Sequence, residues 1–211
     1  PYTRGLMASI PRRRLGLEAG RFHVMAAADR ELQRAGVKTY VGFAEGARFV
    51  VALFSADEPE LLALIEADRL GQLRTGAASA VAARHLAKPG ARTLGLIGTG
   101  WQAESQLACI RVALPGIEQV VAYSRNEERL QEFCARHGCE PGQYNRDAAE
   151  QDVVVTITSS RDPVLRGEWL QPGALVCAAG ANRVEARELD NAVLERASFV
   201  CCDSLDQARI E

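Results

Sequence analysis

The sequence predicts an α/β fold in which a Rossmann-type, doubly wound parallel sheet is joined to part of a second, mostly β domain. From residue 92 onward, short apolar segments alternate with helical segments, which is typical of a parallel sheet with helices on both faces. A glycine-rich loop follows the first of these apolar segments and opens a helix. Residues 1 to about 55 instead contain short strand-like segments separated by turn signals.

The N-terminal part is predicted to hold strands followed by two helices. The predicted strands are FHVMA, VKTYVGFA and RFVVALF. Apolar residues at helical spacing in DEPELLALIEADRL predict a helix, with Asp57 as its N-cap and Pro59 in its first turn. A second helix, GAASAVAARHLAK, is predicted to end at the Pro89–Gly90 pair.

The remaining elements alternate between strand and helix. The predicted strands are RTLGLIG, EQVVAYS, DVVVTITSS, GALVCAAG and SFVCC. The predicted helices are WQAESQLACIRVAL, NEERLQEFCARHG with Gly138 at its end, a short helix near Asp147–Glu150, and a helix around ELDNAVLERA. Buried apolar strands that alternate with helices indicate a parallel, doubly wound sheet.

Composition excludes several classes of function. The 25 basic and 27 acidic side chains give a net charge of −2, which argues against a surface for nucleic acid or anionic membranes. No apolar segment approaches the length of a membrane span, and no signal peptide is visible. The 6 cysteines form no C-x-x-C pair, so we interpret them as reduced core residues of a cytoplasmic protein. The 3 histidines lie far apart, and no metal-ligand spacing is present.

The glycine-rich loop predicts a nicotinamide dinucleotide site. Its sequence fits G-x-G-x-x-A and consists of Gly98, Thr99, Gly100, Trp101, Gln102 and Ala103. The first glycine permits a tight turn, the second lets the backbone approach a pyrophosphate, and the alanine keeps the helix close to the sheet. The helix N-terminus supplies N–H donors and the positive end of a dipole.

The end of the next predicted strand favours NADP(H) over NAD(H). Sites for NAD commonly carry an Asp or Glu there, which binds the ribose hydroxyls. This chain instead has Ser124, Arg125 and Asn126. A guanidinium at this position can pair with the 2′-phosphate of NADP and stack on the adenine.

Several segments, in this order, resemble the ornithine cyclodeaminase/mu-crystallin family. They are RTGAAS from Arg74, the GTGWQA loop, TITSSRDPVL and GANRVEARELD, with looser likeness at Ile10–Arg14, Met25–Ala26 and Gly36–Lys38. The resemblance implies a two-domain homodimer, in which residues 1–72 form part of the substrate and dimerisation domain and residues 73–211 form the cofactor-binding domain. Compared with the family, the chain is expected to be incomplete at both ends.

The resemblance also implies roles for individual residues. The substrate carboxylate would be bound by Lys38, Arg74 and one arginine of the run Arg12-Arg13-Arg14, of which Arg12 and Arg13 are the first candidates. The cofactor would be contacted by residues near the start of one helix and the end of one strand: Thr75, Ser79, Thr158 and Ser159.

Two positions bear on the reaction. Asn182 stands where cyclodeaminases resemble one another in having Asp, and an amide cannot act as a general base. His23 stands where they tend to have Glu and is a candidate to supply a proton near neutral pH, with Lys38 as the alternative proton donor. Simple hydride transfer to a C=N bond is therefore favoured over cyclodeamination.

Three functions remain open from the sequence. The first is an NAD(P)H-dependent oxidoreductase that acts on small imino or amino acids, as ketimine reductases, pyrroline-2-carboxylate reductases and alanine dehydrogenase do. The second is an ornithine cyclodeaminase, in which NAD is reduced and reoxidised within one turnover. The third is a non-catalytic NADPH-binding protein of the mu-crystallin type.

Overall fold

The computed structural model describes residues 4–43, 46–181 and 184–208. The chain divides into two compact units. The first unit contains the residues up to Gly71 and a short segment that begins at Ser204. The second unit runs from Gln72 to Asp203.

The first unit is built on an antiparallel sheet in which each strand pairs with the next. Its strands are β1 (Met7–Gly16), β2 (Arg21–Asp29), β3 (Arg34–Phe43), β4 (Gly46–Ser55) and β5 (Leu61–Glu66). The strands predicted as FHVMA, VKTYVGFA and RFVVALF are confirmed as β2, β3 and β4. The sequence patterns did not predict β1 or β5 as strands.

The helix predicted over DEPELLALIEADRL is wrong. Residues Leu61–Glu66 form β5, which pairs with β4 so that Ile65 lies opposite Val51. A short apolar run fits a strand as well as a helix, and the pairing of its backbone with β4 decides between them. Helix α1 (Asp68–Leu86) begins just after it, two turns before the predicted start of the second helix. Its first residue is held by the Phe49 amide, which donates to Asp68 Oδ1 at 2.7 Å.

The second unit contains a sheet of five parallel strands in the order β10-β9-β6-β7-β8. The strands are β6 (Thr93–Ile97), β7 (Gln119–Tyr123), β8 (Glu140–Pro141), β9 (Val153–Thr156) and β10 (Leu175–Ala178). The helices are α2 (Trp101–Ala113), α3 (Glu127–His137), α4 (Asn145–Ala149) and α5 (Asn191–Arg196), with a 3-10 helix at Gly167–Trp169. A last short helix, α6 (Leu205–Ala208), belongs to the first unit and contacts β1.

Both faces of the parallel sheet are buried. Leu94 and Leu96 of β6 pack into one apolar cluster with residues of α1, α2 and α3. Ile97 packs into a second cluster, on the opposite face, with Ala148 of α4 and Val193 of α5. Burial on two faces explains why these strands consist of continuous apolar residues, and it confirms the predicted doubly wound α/β fold. Within the described ranges, no helix is long and apolar enough to cross a bilayer.

The strand order creates a switch point between β6 and β9. From β6 the chain adds β7 and β8 on one side, and it then returns to add β9 and β10 on the other side. The loops that leave β6 and β9 at their carboxyl ends therefore diverge and leave a crevice. In open α/β sheets, ligands bind in this crevice.

The predicted strand SFVCC and the burial of its cysteines are wrong. Residues 198–202 form no strand, and Phe199 and Val200 are 66% and 63% exposed, so β10 is the edge of the sheet. Cys201 and Cys202 are exposed, whereas Cys177 in β10 is buried. Without a neighbouring backbone to pair with, an apolar run does not become a strand.

Asp152 ties together the amino ends of β6 and β9. Its carboxylate accepts hydrogen bonds from the Arg92 and Thr93 amides at 2.8 and 3.1 Å and forms an ion pair with Lys88. Partial burial alone would raise the pKa of this carboxyl. The hydrogen bonds from Lys88 and the two amides outweigh that effect and lower the pKa to about 2.

This pairing predicts a loss of stability in acid. The pKa of Asp152 is lower in the folded protein than its ordinary value of 3.8. The carboxylate therefore adds to the free energy of unfolding above about pH 4, and this stabilisation is lost as the pH falls toward 2. We expect about 1 to 2 kcal/mol, since solvent screens part of the interaction. Urea unfolding at several pH values should show this loss in the wild type and in Asp162→Asn, an exposed carboxylate, but not in Asp152→Asn. Equal acid sensitivity in all three proteins would contradict the assignment.

Candidate functional site

The loop between β6 and α2 requires glycine at its first position. Gly98 has a φ of 111°, which side-chain-bearing residues rarely adopt. Its amide donates to the Tyr123 carbonyl at 2.9 Å, and a Cβ atom here would lie 2.5 Å from the Ile157 carbonyl oxygen. Gly98 thus sits between the ends of β7 and β9, at the switch point. This is the tight turn that the sequence predicted.

The second glycine of the loop faces open space. Gly100 is the N-cap of α2 in an extended conformation, and no side chain of the described residues caps the helix. A Cβ atom on Gly100 would meet nothing within 4 Å. The first N–H groups of α2 are therefore available to an anionic ligand, and a helix of 13 residues adds a favourable dipole. Thr99 is half-buried in the loop and Trp101 is 48% exposed at the start of the helix.

The last two loop residues, Gln102 and Ala103, pack toward the protein interior. Ala103 is 1% exposed and its amide donates to the Gly100 carbonyl at 2.9 Å. The Oε1 atom of Gln102 is buried and accepts no hydrogen bond from the described residues. The structure thus gives Ala103 the packing role that the sequence predicted and places Gln102 partly inside the protein.

The RTGAAS segment brings α1 into direct contact with α2. A Cβ atom on Gly76 would lie 2.3 Å from the Ser105 carbonyl oxygen, so only glycine permits this approach. The buried Gln72 side chain donates to the Trp101 carbonyl, at the start of α2. Arg74 and Thr75 lie between these two contacts, with Arg74 exposed and Thr75 half-buried. This part of α1 therefore packs against the first turns of α2, directly after the glycine loop.

The residues after β7 separate into two roles. Asn126 is the N-cap of α3, and its side chain accepts from the Arg129 amide at 2.8 Å. Ser124 Oγ lies 3.4 Å from the Asn126 amide and accepts from it. Arg125 is exposed and has no hydrogen bond or ion pair with the described residues. Its guanidinium is therefore available to a ligand, whereas the Asn126 side chain is occupied by the helix.

The turn after β9 is organised by a carboxylate that the sequence analysis did not single out. Thr158 donates to Glu188 Oε1 through its amide at 2.6 Å and through its hydroxyl at 2.7 Å. The Thr158 hydroxyl also accepts from the Ser160 amide at 3.2 Å. Ser159, by contrast, is exposed. The predicted pair thus divides into Thr158, which orders the turn, and Ser159, which faces solvent.

The N-terminal cations lie on an antiparallel sheet in the first unit. Arg14, His23, Tyr40 and Phe49 lie directly opposite one another across four strands. The His23 and Tyr40 rings stack with centroids 4.1 Å apart, and Tyr40 stacks on Phe49 at 4.5 Å. Lys38 Nζ lies 5.8 Å from the Tyr40 ring centroid. An aromatic surface with cationic neighbours suits a small carboxylate ligand with an apolar body.

The arginine run does not act as a unit. Arg12 and Arg14 are half-buried and close enough to His23 to influence its charge, whereas Arg13 is exposed and pairs with Val24. Because neighbouring strand residues point to opposite faces, Arg13 lies on the face opposite His23 and Lys38. Arg12 and Arg14 are therefore favoured over Arg13 as partners of Lys38 in binding a carboxylate.

The His23 side chain is uncharged at neutral pH. Burial and the nearby charges of Arg12, Arg14, Arg21 and Lys38 lower its pKa to about 4. The ring is therefore neutral at pH 7 in the free protein, which favours Lys38 over His23 as the proton donor. Its Nδ1 atom is buried and makes no hydrogen bond with the described residues. Lys38 remains the candidate proton donor, and Asn182 lies outside the described residues.

Comparison with known proteins agrees with this geometry. The sequence profile of the ornithine cyclodeaminase/mu-crystallin family matches residues 2–211. The chain belongs to this family. Alanine dehydrogenase of Archaeoglobus fulgidus is 37% identical over 172 residues, which cover 78% of this chain and 53% of that protein. A Delta(1)-pyrroline-2-carboxylate reductase of Bacillus cereus is 34% identical over 200 residues, which cover 92% of this chain and 58% of that protein.

Solved structures of the family share the fold. An archaeal alanine dehydrogenase dimer with bound NAD superposes with a TM-score of 0.91 and 32% identity, covering 99% of this chain and 68% of that one. The chain spans a little over half the length of the curated relatives named above. Because it covers only part of those proteins, their activity, substrate and assembly do not transfer directly to this member of the ornithine cyclodeaminase/mu-crystallin family.

Glu188 could not be predicted as a functional residue from the sequence, although it lies in the segment GANRVEARELD that resembles the family. Glu188 lies in the charged segment VEARELD, which is the composition of a solvated surface. In the structure it is 1% exposed. Its hydrogen-bond partners lie in two turns, one about 30 residues and the other about 8 residues earlier in the chain. Local patterns contain no sign of such a contact.

Proposed function

We propose that this protein is an NAD(P)(H)-dependent oxidoreductase acting on the C=N or CH–NH bond of small imino and amino acids. The observation that carries this proposal is the glycine loop at the switch point, with open space beside Gly100 at the uncapped N-terminus of α2. The similar proteins support it, because one is an alanine dehydrogenase and another is a Delta(1)-pyrroline-2-carboxylate reductase.

The cofactor, when bound, supplies or accepts hydride at its nicotinamide ring. The protein's own residues orient the substrate and handle its charges. Lys38 and one arginine of the run Arg12-Arg13-Arg14 are proposed ligands of the substrate carboxylate, with Arg12 and Arg14 favoured because they share the face of Lys38. Arg74 is proposed for the same role on the family resemblance. Lys38 is the proposed proton donor to the substrate nitrogen. Asn182 is proposed to hydrogen-bond the substrate without acting as a base.

We propose that the cofactor is bound mainly by the glycine loop and by the residues that follow β7 and β9. The pyrophosphate is assigned to the loop of Gly98, Thr99, Gly100, Trp101, Gln102 and Ala103, and the nicotinamide side to Thr75, Thr158 and Ser159. Within the loop, the amides of Gly98 and Ala103 donate to protein carbonyls and hold its shape, so the first amides of α2, those of Trp101 and Gln102, are the proposed donors to the ligand. We further propose that NADP(H) is preferred, because Arg125 is exposed at the tip of β7 and no acid stands there. Ser124 adjoins it, and Asn126 contributes by capping α3.

A homodimer is the proposed assembly. One face of the antiparallel sheet presents a row of apolar side chains across all five strands: Ile10, Ala26, Val37, Ala52 and Leu64. Ile10 and Leu64 are 50% and 71% exposed. A row of exposed apolar side chains across a sheet is typical of an interface between subunits. Analytical ultracentrifugation tests this assembly directly.

A fluorescence titration with NADPH and NADH, side by side, tests the cofactor preference. We expect Arg125→Ala to weaken NADPH about tenfold or more and to change NADH little, because a charge-assisted bond to the 2′-phosphate is lost. Arg30→Ala, which removes an exposed arginine of the first unit, should leave both constants unchanged. Equal losses for the two cofactors in Arg125→Ala would contradict the assignment of the 2′-phosphate to this residue.

Turnover is tested by following oxidation of NADPH with cyclic imine carboxylates and with pyruvate plus ammonia. Substrate-dependent oxidation is the expected result. Ammonia released from L-ornithine without net change in the cofactor would instead identify a cyclodeaminase. Tight binding of NADPH without any reaction would identify a cofactor-binding protein with no enzymatic activity.

A further inference from the structure

Glu188 is a buried carboxylate that joins the carboxyl ends of two neighbouring strands. It is 1% exposed, and its two oxygens accept five hydrogen bonds. Thr158, two residues beyond β9, contributes its amide and its hydroxyl. Thr156, the last residue of β9, donates through its hydroxyl at 3.0 Å. The amides of Gly180 and Ala181, just beyond β10, donate at 2.7 and 3.2 Å.

All five donors are uncharged. An ionised carboxylate offers only acceptors, so its two oxygens match five converging donors, three of which are backbone amides. None of the described residues brings a cation to Glu188 within salt-bridge distance. The negative charge is therefore stabilised by neutral dipoles, which screen it less completely at a distance than an adjacent cation would.

The turns that Glu188 holds are packed without spare room. A Cβ atom on Gly180 would lie 2.3 Å from the Thr158 carbonyl oxygen and 2.5 Å from Glu188 Oε1. The Thr158 methyl group is in turn the neighbour that a Cβ atom on Gly98 would meet at 3.1 Å. Glu188 thus positions the turn after β9 against both the turn after β10 and the glycine loop.

This position corresponds to one half of a bound dinucleotide. The glycine loop takes the pyrophosphate, and the tip of β7 takes the adenosine ribose. Because the dinucleotide extends across the switch point, its nicotinamide half must lie toward β9 and β10 on the other side of β6. Glu188 bridges the carboxyl ends of those two strands. The oxidised nicotinamide ring is positively charged, and the reduced ring is neutral.

We propose that Glu188 is a positioning residue that fixes the two turns on the nicotinamide side and, through its negative charge, favours binding of the oxidised cofactor over the reduced one. This inference rests on the proposed function, since it requires that the site binds a nicotinamide cofactor. A charge that stabilises only the oxidised form by about 1.4 kcal/mol changes the ratio of the two binding constants about tenfold.

The test measures the dissociation constants of NADP⁺ and NADPH by calorimetry, for the whole chain and three variants. In Glu188→Gln, which removes the charge at nearly constant size, the ratio of the NADP⁺ constant to the NADPH constant should rise about tenfold. In Thr156→Val, which removes one hydrogen bond but keeps the charge, both constants should change by the same factor. In Glu188→Asp, which keeps the charge on a shorter side chain, both constants should rise while their ratio stays within about twofold of the wild type.

A Glu188→Gln variant that folds and weakens both cofactor forms equally would overturn the electrostatic role. If circular dichroism shows that this variant is unfolded, Glu188→Asp decides. Unchanged constants, or a changed ratio, in Glu188→Asp would then overturn the inference. Wild-type protein that binds neither form would overturn the proposed function and this inference with it. Wild-type protein that binds both forms but reduces no imine would overturn the enzymatic proposal alone, because the readout here is binding.

Discussion

Gly100→Ala should abolish tight binding of the dinucleotide while leaving the stability of the protein unchanged. The φ of −80° at Gly100 is accessible to alanine, and an added Cβ atom would meet no protein atom within 4 Å. That atom would instead occupy the space beside the first N–H groups of α2, where a pyrophosphate approaches the backbone. We expect the dissociation constant for NADPH to rise about 100-fold or more, equivalent to about 2.7 kcal/mol of binding free energy.

The measurement combines NADPH titration with thermal unfolding of the free protein. Gly116→Ala is the matched control, because its Cβ atom would make only ordinary contact at 3.7 Å from the Ala91 carbonyl oxygen, far from the loop. Both variants should unfold at the wild-type temperature, and only Gly100→Ala should lose the cofactor. Binding of NADPH by Gly100→Ala with wild-type affinity would show that the pyrophosphate does not lie on α2.

Gly95→Ala should destabilise the second unit by about 3 kcal/mol or more. Gly95 is the central residue of β6, and a Cβ atom there would lie 1.6 Å from the Ala148 carbonyl oxygen and 2.6 Å from the Ala148 carbonyl carbon. These are backbone atoms of α4, so the whole helix would have to move away from the sheet. Overpacking that cannot be relieved by a side-chain rotation has costs of this order or larger.

Urea unfolding at neutral pH, followed by circular dichroism, measures this effect. The midpoint for Gly95→Ala should fall well below that of the wild type, or the second unit should fail to fold. Gly116→Ala again serves as the control for a tolerated glycine substitution. A midpoint equal to that of the wild type would show that α4 does not pack against β6 as closely as the structure places it.

Much of the second unit could be predicted because its information is local. Strands β6, β7, β9 and β10 are continuous apolar runs, and each is separated from the next by turn or helix signals. The glycine loop was placed correctly between β6 and α2, because a tight turn with positive φ and a helix start both leave marks on adjacent residues. The position of Arg125 at the tip of β7 followed from the same strand.

The first unit was harder to predict because its strands depend on partners distant in sequence. The run Leu61–Glu66 has helical spacing and becomes a strand only because β4 offers an edge to pair with. The run SFVCC looks like a strand and finds no such edge. In both cases the outcome was decided by backbone pairing with a distant strand, which local sequence patterns do not reveal.

The sequence by itself determined the doubly wound sheet, the glycine loop, the family resemblance and the types of charged residue at the candidate site. Only the tertiary structure decided which side chains share an environment. It separated Arg13 from Arg12 and Arg14 by the alternation of a strand, and it made His23 neutral through burial and surrounding cations. It also buried Glu188 among donors from two distant turns. Periodicity is a property of neighbouring residues, whereas burial, charge and hydrogen bonding depend on residues that only folding brings together.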